Sequence, residues 1–302
     1  MEKVLNFFGG SKREYYKSLS ESEEYQRFRS NVPQRKIVVD EDSAKVWTLY
    51  DSGPREVCSP LLCFPPVSGT ADCFYLQLSR LAAKGCRVIA VQYPTYWTLR
   101  EFVHGLIKLL DTLRLDKVHI FGASLGGFLA QKFAETTTMC PRVQSLILCN
   151  SFADTAIFNH SDSAVLFWAM PAIFLRKLVL VSTGLSVRDK AIHDAEEFMS
   201  ERLESLSQQE LASRLTLNCI NCYVEPQRLQ SIPITIIDVF DRCAISESVC
   251  EELYKLYPHA KRAHLKSGGN FPYISRADEV NMHILIHLRQ FESTRYSAFG
   301  KV

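Results

Sequence analysis

The chain has 302 residues, with 35 Lys and Arg against 33 Asp and Glu for a formal net charge of +2. That balance argues against a dedicated nucleic-acid binder, which carries clustered Lys and Arg. The composition, 47% hydrophobic and 23% charged, is that of an ordinary globular protein large enough for a full core.

Residues 1–34 scatter Glu21, Glu23, Glu24, Arg27 and Arg29 among Tyr15, Tyr16 and Tyr25, and read as a partly helical or mobile N-terminal arm. They begin Met1-Glu2-Lys3 and soon turn polar, so no secretory signal is expected. Lys36-Ile37-Val38-Val39 and residues 44–50 are rich in β-branched and alternating positions around the acidic turn Asp40-Glu41-Asp42, which predicts an antiparallel hairpin at a sheet edge. Leu61-Leu62-Cys63-Phe64 is a continuous apolar run suited to a strand buried on both faces. Helix and strand then alternate: helix 74–83, strand 87–92, an amphipathic helix 99–113 with Phe102, Leu106 and Leu110 on its inner face, a strand ending near residue 123, a helix from Leu125, and a strand 143–149.

Residues 151–230 carry no strand pattern and read as several helices. Their most apolar run, 164–181, contains Pro171, Arg176 and Lys177, which fits a buried or surface-lying lid helix rather than a membrane span. Strand 233–239, helix 246–256, strand 262–265 and helix 277–291 complete the alternation. The expected architecture is α/β: a mostly parallel central sheet with right-handed crossovers and helices on both faces, formed by 35–150 and 231–302. The helical lid 151–230 lies over the carboxyl ends of the strands, where such sheets bind ligands.

Ten cysteines at irregular spacing, several inside apolar runs (Cys63, Cys140, Cys149), point to buried thiols rather than a disulfide framework. Cys219 and Cys222 form a lone CxxC without a second pair or a nearby His, which reads as two ordinary thiols; no metal and no cofactor are expected.

The chain is organised around Val118-His119-Ile120-Phe121-Gly122-Ala123-Ser124-Leu125-Gly126-Gly127. A buried strand, Gly-x-Ser-x-Gly and an opening helix make the nucleophile elbow of α/β-hydrolases, a tight turn that lifts one side chain above the sheet. Ser124 takes the nucleophile position. Asp241, just past strand 233–239, takes the acid position. The base belongs in the loop after the last strand, which reads Ser267-Gly268-Gly269-Asn270-Phe271-Pro272. Asn270 stands where His is needed, and an amide accepts no proton at any working pH. The other histidines, His264 included, lie off the catalytic loop. For the oxyanion, the turn Phe64-Pro65-Pro66-Val67-Ser68-Gly69 loses two N–H donors to proline, leaving the N–H groups of Val67 and Leu125 as a half-built hole. The expectation is a hydrolase scaffold without its chemistry: Ser124, Asp241 and Asn270 as vestigial triad positions, and Pro65, Pro66, Ser124 and Asn270 as a partner or ligand pocket. The alternative is a weak or unconventional serine hydrolase using Ser124 on small acyl esters.

Residues 64–72, 121–131, 145–152 and 264–273, above all Pro-Pro-Val-Ser-Gly-Thr-Ala-Asp and Gly-Gly-Asn-Phe-Pro-Tyr, resemble the maspardin family across about residues 28–297. The resemblance implies a non-catalytic α/β-hydrolase-fold protein of the cytosol, peripherally associated with endosomal and trans-Golgi membranes. It implies protein partners, namely the cytoplasmic tail of a T-cell co-receptor and an aldehyde-dehydrogenase-family protein. A role in negative regulation of T-cell activation, and a link between loss and hereditary spastic paraplegia, follow from the same likeness.

Overall fold

The computed structural model describes residues 18–40, 45–158, 164–181 and 189–300. In chain order its elements are helix α1 (Glu23–Asn31), strands β1 (Arg35–Asp40), β2 (Lys45–Ser52) and β3 (Leu61–Phe64), helix α2 (Tyr75–Ala82), β4 (Val88–Gln92), α3 (Leu99–Thr112), β5 (Val118–Ala123), α4 (Leu125–Thr136) and β6 (Val143–Cys149). The lid segment follows with α5 (Ala164–Ala169), α6 (Ala172–Val181), α7 (Lys190–Ser205) and α8 (Gln208–Cys219), and then β7 (Ile234–Val239), α9 (Glu247–Leu256), β8 (Lys261–Leu265), α10 (Pro272–Ser275) and α11 (Ala277–Arg289).

The strands form one sheet in the order β1-β2-β4-β3-β5-β6-β7-β8. β1 pairs antiparallel with β2, and β2 antiparallel with β4, whereas every pairing from β4 to β8 is parallel. The central strands are buried on both faces, and the two-residue period of a strand divides their side chains between two cores. Leu62, Phe64, Ile120, Leu146 and Ile236 pack with α3 and α4 on one face; Leu61, Cys63, Phe121, Ile147 and Ile237 pack with α2 and α11 on the other. A third, smaller cluster lies within the lid, where Leu175 and Val179 of α6 meet Leu211 and Leu215 of α8.

Residues 18–34 are partly helical, with α1 docked on the domain; residues 1–17 lie outside the described residues. The Ser22 side chain caps α1 by accepting from the Tyr25 N–H, and Tyr25 and Phe28, three apart on one helix face, are 5% and 2% exposed. Tyr25 donates its hydroxyl to Asp72 at 2.6 Å, and Arg202 of α7 reaches the same carboxylate at 2.8 Å. Burial works to raise the Asp72 pKa, but the hydrogen bonds from Thr70 and Tyr25 and the Arg202 guanidinium outweigh it and hold the carboxyl below its ordinary range. The network ties the N-terminal helix, the loop after β3 and the lid to one another. Trp97, stacked on Trp168 with centroids 3.6 Å apart, makes a second lid-to-core junction.

Two imidazoles under the sheet are structural. His119 in β5 is fully buried, bonded to Ser145 Oγ at 2.7 Å and to the Tyr296 carbonyl at 2.8 Å; His287 of α11 is bonded to Thr235 at 2.7 Å. Burial drives the pKa of His119 down to about 4, and burial with His119 and Lys261 nearby drives that of His287 down to about 3. Unfolded, both protonate near an ordinary value of about 6.5. The stability they confer is therefore complete at neutral pH and is lost as pH falls from about 6.5, through 4 for His119 and through 3 for His287, with His119 alone accounting for about 3 kcal/mol. The melting temperature should drop across that window, and His287→Gln should flatten the drop. A melting temperature independent of pH between 4 and 6.5 would refute the assignment.

Candidate functional site

Ser124 sits between the end of β5 and the first turn of α4 at φ 49° and ψ −117°, a left-handed conformation rare for a residue with a side chain. Its N–H donates to the Cys149 carbonyl at 3.0 Å, and its carbonyl accepts from Gly127 at 2.9 Å. Two absent side chains allow this turn. A Cβ on Gly122 would come within 2.5 Å of the Gly127 Cα, and one on Gly126 would strike the carbonyls of Phe64 and Pro65. The strain lifts the Ser124 side chain out of the core, where its hydroxyl makes no hydrogen bond among the described residues.

Above it lies a cavity of about 570 Å³ walled by loops of the core and helices of the lid. Pro66, Val67, Ser124 and Asn270 line it together. Pro65, Leu125 and Asp241 do not: Pro65 and Leu125 are buried behind it. Asp241 lies on the far side of the loop, accepting from the N–H groups of Gly268 at 3.0 Å and Gly269 at 3.1 Å. Asn270 Oδ1 accepts from the Ala244 N–H at 2.6 Å, and its side chain also bonds Glu196 of α7, whose carboxyl burial pushes up. The residues at the acid and base positions thus brace three segments: the loop after β7, the loop after β8, and the lid.

The oxyanion side keeps donors. Leu125 and Gly126 open α4, where their N–H groups precede the first intrahelical bonds, those of Gly127 and Phe128 to the Ser124 carbonyl. Pro65 and Pro66 offer none, so Val67 carries the first N–H of the facing loop. That loop is clamped from the lid: Arg214, 1% exposed, donates Nη1 to the carbonyls of Val67 and Gly69, with its guanidinium 5.2 Å from the centre of the Tyr93 ring.

No imidazole lines the cavity among the described residues. His119 and His287 are committed below the sheet, His104, His193, His259 and His264 are exposed, and His283 is half-buried on α11. His264 stacks on Phe240, with centroids 5.2 Å apart, and lines a separate depression rather than Ser124's cavity. His160 lies outside the described residues.

Several lining residues escape sequence reading. Asn150 follows β6 at φ 43° and donates Nδ2 to the Gly269 carbonyl at 3.0 Å; its buried Oδ1 has no partner among the described residues. Its position at a strand's carboxyl end was the available cue. Asn218 and Cys219 come from α8, and Cys243 from the loop after β7. Burial pushes both thiols up, away from the reactive thiolate. Cys222 turns elsewhere, to the Tyr223 carbonyl.

A family profile described as "Alpha/beta hydrolase family" matches residues 61–282. Maspardin of Mus musculus is 59% identical over 277 residues, covering 92% of this chain and 90% of that protein. Maspardin of Danio rerio is 58% identical over 279 residues, with the same shares covered. Among solved structures, an esterase from Thermogutta terrifontis superposes with a TM-score of 0.69 at 19% identity, over 85% of this chain and 98% of that one. A bromoperoxidase from Bacillus anthracis gives 0.63 at 18%, over 85% and 100%. Identities this low establish the shared fold alone. With the elbow, the mostly parallel sheet and the lidded cavity in place, and with relatives this similar along nearly the whole chain, the protein belongs to the alpha/beta hydrolase family and, within it, to the maspardins.

Proposed function

We propose that this chain is a non-catalytic α/β-hydrolase-fold adaptor or regulator that works by binding proteins. The observation that carries the reading is Asn270. It occupies the position of the general base, its amide is engaged by Ala244 and Glu196, and no imaginable rotation makes an amide a base. A serine hydroxyl without a base is a hydrogen-bonding group and not a nucleophile. Membership of the maspardins supports the finer parts of the proposal: the cytoplasmic tail of a T-cell co-receptor and an aldehyde-dehydrogenase-family protein as partners, peripheral association with endosomal and trans-Golgi membranes, and negative regulation of T-cell activation. Among the described residues no helix is long and apolar enough to cross a membrane.

The purified chain should show no labelling by a fluorophosphonate probe above that of Ser124→Ala, while an immobilised peptide of the co-receptor tail captures it. Ser124-dependent labelling of the unmodified chain would overturn the non-catalytic reading. It would favour the second one, a weak serine hydrolase on small acyl esters, which draws on the strained Ser124 and its unbonded hydroxyl. Failure of the peptide to bind would overturn the named partner.

A further inference from the structure

The cavity over Ser124 has a chemistry of its own. Its wall is mostly apolar, with Val67 from the core and Phe158, Phe167, Leu178 and Leu215 from the lid segment, interrupted by Asn218 of α8. Polar groups gather at the floor, where Ser124 and Asn150 lie beside the first turn of α4. None of the described lining residues carries a charge. Arg214, adjacent in sequence to lining Leu215, spends its Nη1 on the carbonyls of Val67 and Gly69 and is not in the lining. At about 570 Å³ the space lies within the range of small-molecule sites, roughly 300–1,000 Å³. Leu178, 47% exposed, lines the cavity and also stands on the outer surface of α6 near Phe174, itself 53% exposed, so the lip of the cavity is apolar.

From this arrangement we infer that the cavity binds an uncharged single-chain lipid, with its hydrocarbon chain along the lid-side wall and an ester carbonyl or hydroxyl head at the floor. The head would accept from the Ser124 hydroxyl and from the N–H groups of Leu125 and Gly126 that open α4, which lack the intrahelical acceptor that Gly127 and Phe128 find in the Ser124 carbonyl. A carboxylate head would meet only the partial positive charge of the α4 N-terminus, about half an elementary charge, with the Arg214 cation held behind Val67 and outside the lining; that falls short of the water it loses, so the site selects neutral heads over fatty-acid anions. The inference rests on the non-catalytic reading in one respect: the ester is held and not cleaved. An apolar chain filling the space between α6, α8 and the core would also hold the lid in one position, giving a protein-binding surface that reports lipid occupancy.

The test is displacement of the neutral dye Nile red from the full chain. At neutral pH 1-oleoylglycerol should displace it at a concentration at least about 10-fold below that of oleate. Leu178→Glu, at a half-exposed lip where folding is not at stake, should raise the concentration of 1-oleoylglycerol needed at least about 10-fold while leaving the far-ultraviolet circular dichroism unchanged. Equal potency of oleate, or displacement unaffected by Leu178→Glu, would overturn the cavity assignment and leave the non-catalytic reading untouched. Bound lipid is then extracted and weighed by mass spectrometry. Intact 1-oleoylglycerol is the expected recovery; recovery as oleate and glycerol would overturn the non-catalytic reading while the cavity assignment stood.

Discussion

Asn270→His is expected to make the protein react with a fluorophosphonate probe about 10²-fold faster than the parent, with the gain abolished by adding Ser124→Ala. A positioned general base contributes typically about 10²–10⁴-fold, and the lower end applies here because Pro65 and Pro66 have removed two donors from the oxyanion loop. The seating of the nucleophile is present. Ser124 is held at φ 49°, its hydroxyl shares a cavity with the side chain of residue 270, and Asp241 stands behind that loop with its carboxylate against Gly268 and Gly269. The variant gives up the Ala244 N–H to Asn270 bond, so its melting temperature should fall slightly even as reactivity rises. Intensity of the labelled band against time gives the rate. No gain in a folded Asn270→His variant would mean that the missing base is not what silences Ser124.

Gly126→Ala should destabilise the protein by more than about 4 kcal/mol, near the upper end for single substitutions. The added methyl points into the carbonyls of Phe64 and Pro65, both backbone, in a turn stiffened by two prolines and clamped by Arg214, so nothing nearby can move aside. The elbow and the strand it faces would have to separate inside a close-packed core. Gly85→Ala is the internal control. That position has φ +80° but open space around it, so its cost is conformational alone, about 1–2 kcal/mol. Urea unfolding of the two variants separates the effects. A Gly126→Ala protein no less stable than Gly85→Ala would show that the close approach of the elbow to the loop after β3 is not structural.

The two predictions probe different layers of one arrangement. Reactivity asks what stands at position 270, and stability asks how the elbow is seated. On the proposed non-catalytic reading the chain keeps the seating without the base and so retains a strained serine over a cavity, and strain of that kind persists only when the surrounding structure holds it. Here the holders are identifiable: Gly122 and Gly126 in the turn, Cys149 beneath it, and the lid helix α8 bearing Arg214.

Much of the fold was legible in the residues. The run Leu61–Phe64 and the elbow strand announced buried central strands because both faces of a parallel sheet are covered, which leaves no polar alternation. The amphipathic helix α3 showed its inner face directly. The N-terminal segment was less legible. Its charges suggested an arm, yet Tyr25 and Phe28 are buried, and the decisive partner, Arg202, is 177 residues away from Tyr25.

Taken alone, the sequence determined the elbow, the strand–helix alternation and the presence of an amide at the base position, because each follows from neighbours within a few residues: glycines where a Cβ would clash, apolar periodicity, and one side chain's chemistry. Only the tertiary structure decided what those positions now do. Asp241 and Asn270 hold loops together across separations of 27 and 26 residues, and the cavity takes Asn150, Asn218 and Cys243 from three separate segments. The physical reason is that a local motif specifies backbone shape, whereas the partner of a buried polar group is chosen by which distant segments packing brings within hydrogen-bonding reach.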